Sequence, residues 1–132
     1  MNIRREYITA ITEHALEDNP DECCGILATL SGEVRRHYRI RNADRSPYRF
    51  SFDTIDHLRA SNEIDDNGWE IGIIYHSHTH SPAYPSATDV RLVTYPDAYY
   101  LIVSLSDPTA PDVRMYSIQG SVITEEPITI LE

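Results

Sequence analysis

Ile8, Ile11, Ala15 and Leu16 recur at i, i+3, i+7 and i+8, the spacing of an apolar stripe on an α-helix. Asn19-Pro20 ends it, because proline has no amide hydrogen for the helical ladder. The apolar run Cys24 to Leu30 (CGILATL) stops at Ser31-Gly32. The following EVRRHYRIR alternates, with Val34, Arg36, Tyr38 and Ile40 opposite Arg35, His37, Arg39 and Arg41. Together the two segments predict a hairpin. NADRSP reads as a loop, Tyr48 to Phe52 (YRFSF) as a strand, and Asp53 as the cap of a helix running through Ile55 and Leu58 to about Ile64, ended by Asp65, Asp66, Asn67 and Gly68.

Trp69 to Tyr75 (WEIGIIY) has the β-branched and aromatic content of a buried strand, and HSHTHSPAYP follows as a loop whose prolines forbid helix. Ser86 begins a helix. Tyr99 to Leu105 (YYLIVSL) predicts another strand, and DVRMYSI with SVITEEPITIL predicts an antiparallel pair turning at Gly120. Helices interspersed among mostly antiparallel strands favour an α+β fold, a mixed sheet sandwiched by helices, over a doubly wound parallel sheet. There is no internal repeat and no long linker, so residues 1–132 are expected to form one domain.

Composition narrows the partners. Eleven basic against twenty-one acidic residues leave a formal charge of -10, which repels phosphate backbones and anionic headgroups, so neither nucleic acid nor membrane is an expected partner. Arg35, Arg36, Arg39 and Arg41 come closest to a basic patch, and strand alternation splits them between two faces. The amino-terminal segment is too charged for a signal peptide, and no stretch approaches the ~20 apolar residues of a membrane span. A cytoplasmic location is expected. Cys23 and Cys24 are adjacent, too close for an unstrained disulfide, and read as reduced thiols.

The chemistry concentrates in His76-Ser77-His78, followed after seven residues by Ser86-Ala87-Thr88-Asp89. On an extended chain i and i+2 share a face, so both imidazoles can converge just past a buried strand, and a carboxylate in the first turn of the next helix can join them. Two nitrogens and one oxygen leave a fourth tetrahedral position open, the donor set of a catalytic zinc centre. Ser86-x-x-Asp89 is equally a capping box. Adding His80 as a third same-face histidine would spread the donors over roughly 13 Å, too far for one ion. His14, His37 and His57 show no partner and suit ordinary packing or surface roles. Ser77 points away from its histidine neighbours and suits a supporting role. Hydrolysis also needs a proton carrier; Glu22, between the proline stop and the first strand, is the candidate, though by itself it reads as a solvated loop acid.

Glu22, His76-Ser77-His78, seven residues, Ser86, two residues and Asp89 together resemble the JAMM signature of MPN-type metallopeptidases at all five key positions. NPDECCGIL resembles that family's segment around its glutamate. NADRSP, IIYHSHT, YPSATDV, PDAYYLIVS and VITEEP carry a nearer likeness to small bacterial members that release cysteine from the C-terminus of a ubiquitin-fold sulfur-carrier protein. The resemblance implies a curved sheet flanked by helices, often dimeric, with Zn2+ held by His76, His78 and Asp89. It makes Glu22 the general base and acid, and Ser86 the donor to the oxyanion, a role that competes with capping. It implies as substrate a carrier tail ending in Gly-Gly, received as an extended strand along a sheet edge or loop; His80 to Tyr84, near the metal ligands in sequence, and Arg45 to Phe52 are the segments to consider for this, and each reads equally as plain loop. Trimming of a carrier precursor, removal of ubiquitin-like modifiers from lysine, and a metal-free MPN scaffold are the alternatives.

Overall fold

The computed structural model describes residues 1–132. Its elements in chain order are β1 (Asn2–Arg4), α1 (Arg5–Asp18), β2 (Cys24–Leu30), β3 (Glu33–Ile40), α2 (Thr54–Asp66), β4 (Glu70–His78), α3 (Ala87–Arg91), β5 (Tyr99–Ser104), β6 (Asp112–Gln119), β7 (Val122–Glu126) and β8 (Thr129–Leu131). Six strands form one sheet in the order β3-β2-β4-β5-β6-β7. Only β4 and β5 run parallel within it; the other neighbours are antiparallel. The expected α+β architecture, a mixed and mostly antiparallel sheet between helices, is what forms.

Alternation along the central strands divides the core in two. Cys24, Ile26 and Ala28 of β2, Ile74 of β4 and Tyr100 and Ile102 of β5 face α2, where Ala60 and Ile64 meet them. Leu27, Ile73, Tyr75, Leu101 and Val103 face the other way, against Ile11 and Ala15 of α1. Burial on both faces explains why β2, β4 and β5 read as continuous apolar runs. Gly25 is required where β2 passes beneath Tyr75: a Cβ there would lie 2.2 Å from the tyrosine ring.

Four expectations need correction. Tyr48 to Phe52 is not a strand; a single bridge, Phe52 to Asn42, is all the pairing it has. The HSHTH segment does not begin a loop, because β4 stays paired with β5 through His78 and Ser104. The final segment also divides: β6 and β7 form the hairpin around Gly120, but beyond Pro127 the chain leaves it and β8 pairs parallel with β1, a strand the sequence pattern does not announce. Finally, Leu16, Ile55 and Leu58 lie on their helices yet face solvent. In α1 the buried stripe centres instead on Ile11, His14 and Ala15, and His14 can occupy it because it has polar partners there.

Candidate functional site

The site forms where β4 runs out against α3. His76 and His78 are both buried and share the α2 face of the sheet, as i and i+2 positions must. Asp89 reaches them from the first turn of α3. His76 Nε2 lies 3.1 Å and His78 Nε2 2.9 Å from Asp89 Oδ2, and the two nitrogens are 3.2 Å apart. These are the group's only close donor atoms of metal-binding type. His80, exposed and turned to the Thr79 hydroxyl, is not among them.

Local bonding aims each group. His78 Nδ1–H donates to the Pro82 carbonyl at 2.8 Å, which leaves Nε2 carrying the lone pair that faces the site. Phe50 stacks on His76 at 4.6 Å between centroids. The Asp89 carboxylate accepts from the Ser86 amide at 2.9 Å, and the Ser86 hydroxyl accepts from the Asp89 amide at 3.0 Å, completing the capping box. Capping and a donor role do not compete, contrary to the expectation from sequence: the hydroxyl caps through a lone pair and keeps its own hydrogen to give. Ser77, on the opposite face, accepts from the Cys23 amide at 2.8 Å; it supports the end of β2 and does not enter the site.

Glu22 is buried beside this group, and its Oε1 has no hydrogen-bond partner. Burial, opposed in part by His78 and reinforced by Asp89, pushes its carboxyl up to about 8. Burial would also raise Asp89, but the His76 and His78 imidazoles and the Ser86 amide outweigh it and hold that carboxyl well below the ordinary range. Desolvation works against charge on His78, yet Asp89 and the Pro82 carbonyl raise its pKa. Beside His76 and Asp89 opens a cavity of about 340 Å³, walled by Phe50, Phe52, Ile74, Leu92, Tyr95 and Tyr100. Burial pushes the Cys23 thiol up to about 12 and Cys24 higher still, so both pack as inert apolar groups.

All five expected site residues are thus placed at one end of the central strands. Phe50 and the Pro82 carbonyl, which orient the two imidazoles, escaped the sequence reading. No local pattern marks either of them.

A mixed sheet whose central strand ends in two converging histidines, met by a helical carboxylate with a buried glutamate alongside, defines the class of JAMM-type metallopeptidases. The chain belongs to that class through its prokaryotic branch: the family described as prokaryotic homologs of the JAB domain matches residues 4–119. It is 42% identical over 132 residues to the CysO-cysteine peptidase of Mycobacterium tuberculosis H37Rv, covering 98% of this chain and 90% of that one. It is 30% identical over 102 residues to the desampylase of Pyrococcus furiosus, covering 77% and 72%. Among solved structures, a Desulfitobacterium hafniense protein superposes with a TM-score of 0.88 at 35% identity, covering 99% of this chain and 92% of the other. A JAB1/MPN domain protein from Archaeoglobus fulgidus shares the fold at a TM-score of 0.67 and 22% identity, with 100% of both chains covered.

Proposed function

We propose that this chain is a zinc-dependent hydrolase that cleaves the amide bond after the C-terminal glycine of a ubiquitin-fold sulfur-carrier protein and releases cysteine. The observation that carries the reading is the convergence of His76, His78 and Asp89, with the buried Glu22 carboxyl, free of hydrogen-bond partners, near enough to feel the charges of His78 and Asp89. Similarity over nearly the whole chain to a CysO-cysteine peptidase supports the choice of substrate. The paired buried thiols suit a reducing cytoplasm.

The donor set fits zinc. Separations of 2.9 to 3.2 Å between the donor atoms approach the edge of about 3.3 Å expected for a tetrahedron with bonds near 2.0–2.1 Å. When bound, zinc supplies Lewis acidity and positive charge, polarising the scissile carbonyl, acidifying water toward a pKa of about 7 and favouring ionised Glu22. Glu22 takes one proton as the water oxygen attacks the carbonyl carbon. It then delivers that proton to the amide nitrogen as the carbon–nitrogen bond breaks; the water's second proton, left on the new carboxyl group, passes to the amine, giving a carrier carboxylate and the ammonium of cysteine. The Ser86 hydroxyl donates to the carbonyl oxygen as it gains charge. The apolar cavity beside His76 is placed to take side chains of the carrier's extended tail.

Incubating zinc-loaded protein with a Gly-Gly-ending carrier that bears or lacks a C-terminal cysteine, and following product by mass spectrometry, tests the reading. Loss of the mass of one cysteine residue from the carrier is expected, with Glu22→Gln slower by about 10²–10⁴-fold. Equal inactivity of wild type and Glu22→Gln on that substrate would refute it. Likeness to a desampylase favours a second reading, cleavage of a carrier from lysine. A carrier–lysine isopeptide substrate in the same assay separates the two.

A further inference from the structure

Glu22 stands just outside the sheet. The β2–β4 ladder begins two residues later, at Cys24 and His76, so the main chain of Glu22 must find its hydrogen bonds elsewhere. It finds both in the loop after β3. The Glu22 amide donates to the Ser46 carbonyl at 2.9 Å, and its carbonyl accepts from Asn42 Nδ2 at 3.0 Å.

Asn42 is buried and fully used. Its Oδ1 accepts from the Asp44 amide at 3.0 Å and the Ser51 amide at 3.1 Å, while Nδ2 also donates to the Arg49 carbonyl at 3.0 Å. Two lone pairs and two N–H groups are all the side chain has. Three of its bonds close the 42–51 loop on itself, and the fourth fastens that loop to Glu22. The same loop also touches the ligand strand: Phe50 stacks on His76, and the Thr79 hydroxyl donates to the Pro47 carbonyl at 2.9 Å. Glu22 Oε1 has no partner to aim it; its direction is set through its main chain.

We infer that Asn42 is a positioning residue for Glu22: by locking the 42–51 loop it holds the glutamate's backbone, and so its carboxyl, in register with the His76–His78–Asp89 group. The inference rests on the proposed hydrolase reading. Asn42→Asp is the informative change, being isosteric and keeping the acceptor for Asp44 and Ser51 while losing both donations. Asn42→Ser, neutral and smaller, serves where the buried carboxylate prevents folding.

Expected in the zinc-loaded variant are unchanged zinc content, KM within about twofold and kcat lowered by up to about a hundredfold. The Glu22 amide should exchange with solvent at least about tenfold faster, while amides of β5 keep their protection. In a Glu22→Gln background the same change should lower kcat no further, because there is no general base left to misplace. Two results would overturn the inference: an unchanged Glu22 amide, or an equal fractional loss of kcat with and without Glu22. Should the wild type hydrolyse neither carrier substrate, the hydrolase reading fails by itself, and amide exchange alone decides whether Asn42 holds Glu22.

Discussion

Neighbouring residues of β4, Tyr75 and His76, open onto opposite faces of the sheet, and each face holds a pair of imidazole rings. On the α1 face every contact is satisfied. The Tyr75 hydroxyl lies 2.6 Å from His14 Nδ1 and 2.7 Å from His37 Nε2, and His14 Nε2 lies 3.2 Å from Asp18 Oδ2. With His14 donating to Asp18 and accepting from Tyr75, and His37 donating to Tyr75, all three groups are bonded while neutral. On the α2 face Nε2 of His76, Nε2 of His78 and Asp89 Oδ2 crowd together, and His76 Nδ1 and Glu22 Oε1 are left unpartnered. Lone pairs held that close call for a cation among them. The same residue types thus make a crosslink on one face and a receptive site on the other, and what separates them is whether the polar atoms close on one another.

Substitutions at matched positions on the two faces would break this contrast most sharply. Asp89→Asn keeps an oxygen for the Ser86 amide but loses the charge that joins the histidines. It should abolish stoichiometric zinc and bring hydrolysis to background, with the melting temperature of the metal-free protein nearly unchanged. His37→Phe on the other face should leave zinc content intact. Retention of zinc by Asp89→Asn, measured by metal analysis after purification without chelators, would show that the carboxylate only caps α3. A smaller loss, about 10²–10³ in kcat, is expected for Ser86→Ala if the hydroxyl donates to the developing oxyanion. Pure capping would instead cost about 1 kcal/mol of stability and leave kcat alone.

The two faces were not equally legible. His76, His78 and Asp89 follow from strand periodicity and a short loop, because their convergence is local. Glu22 and Ser86 carry no such mark and stand out only through the family pattern, since Glu22 meets the others by way of strand pairing and Ser86 looks like any cap. The closed face was invisible: His14, Tyr75 and His37 come from α1, β4 and β3, and nothing local connects them. The same distance hid the true state of Tyr48 to Phe52. Its alternation imitates a strand, but Asn42 satisfies its backbone and Phe50 packs on His76. Asn42 does leave a local trace, the Asn-x-Asp turn in which its side chain accepts the Asp44 amide.

Tyr75→Phe would sharpen the contrast from the closed side. It removes one oxygen and strands a buried ring nitrogen of His14 and a half-buried one of His37, so a loss of about 1–3 kcal/mol in stability is expected. Zinc content and kcat of the folded protein should remain within about twofold, since the hydroxyl belongs to the other face. A matching fall in kcat would mean that the crosslink also sets the register of His76.

The remaining effect is on pH dependence, and its sign distinguishes the faces. Burial, with help from His14 and Arg39, lowers His37 from its ordinary 6.5 to about 4. Burial lowers His14 as well, Arg39 adding to it and Asp18 and Glu17 opposing. Below pH 6.5 the unfolded chain takes up protons that the folded chain refuses, so this face contributes its full stability above 6.5 and loses it as pH falls toward 4. For His37 the loss is on the order of 2 kcal/mol across that window. Glu22 acts in the opposite sense: with its carboxyl raised to about 8, the folded chain binds the extra proton, and stability grows as pH falls from 8 toward the ordinary carboxylate range. Denaturant unfolding of wild type and His37→Phe at pH 7, 6 and 5 cancels the shared Glu22 contribution. The wild type should lose stability relative to His37→Phe as the pH drops, and a difference that stays constant across the three values would mean that His37 is not held neutral by its buried contact with Tyr75.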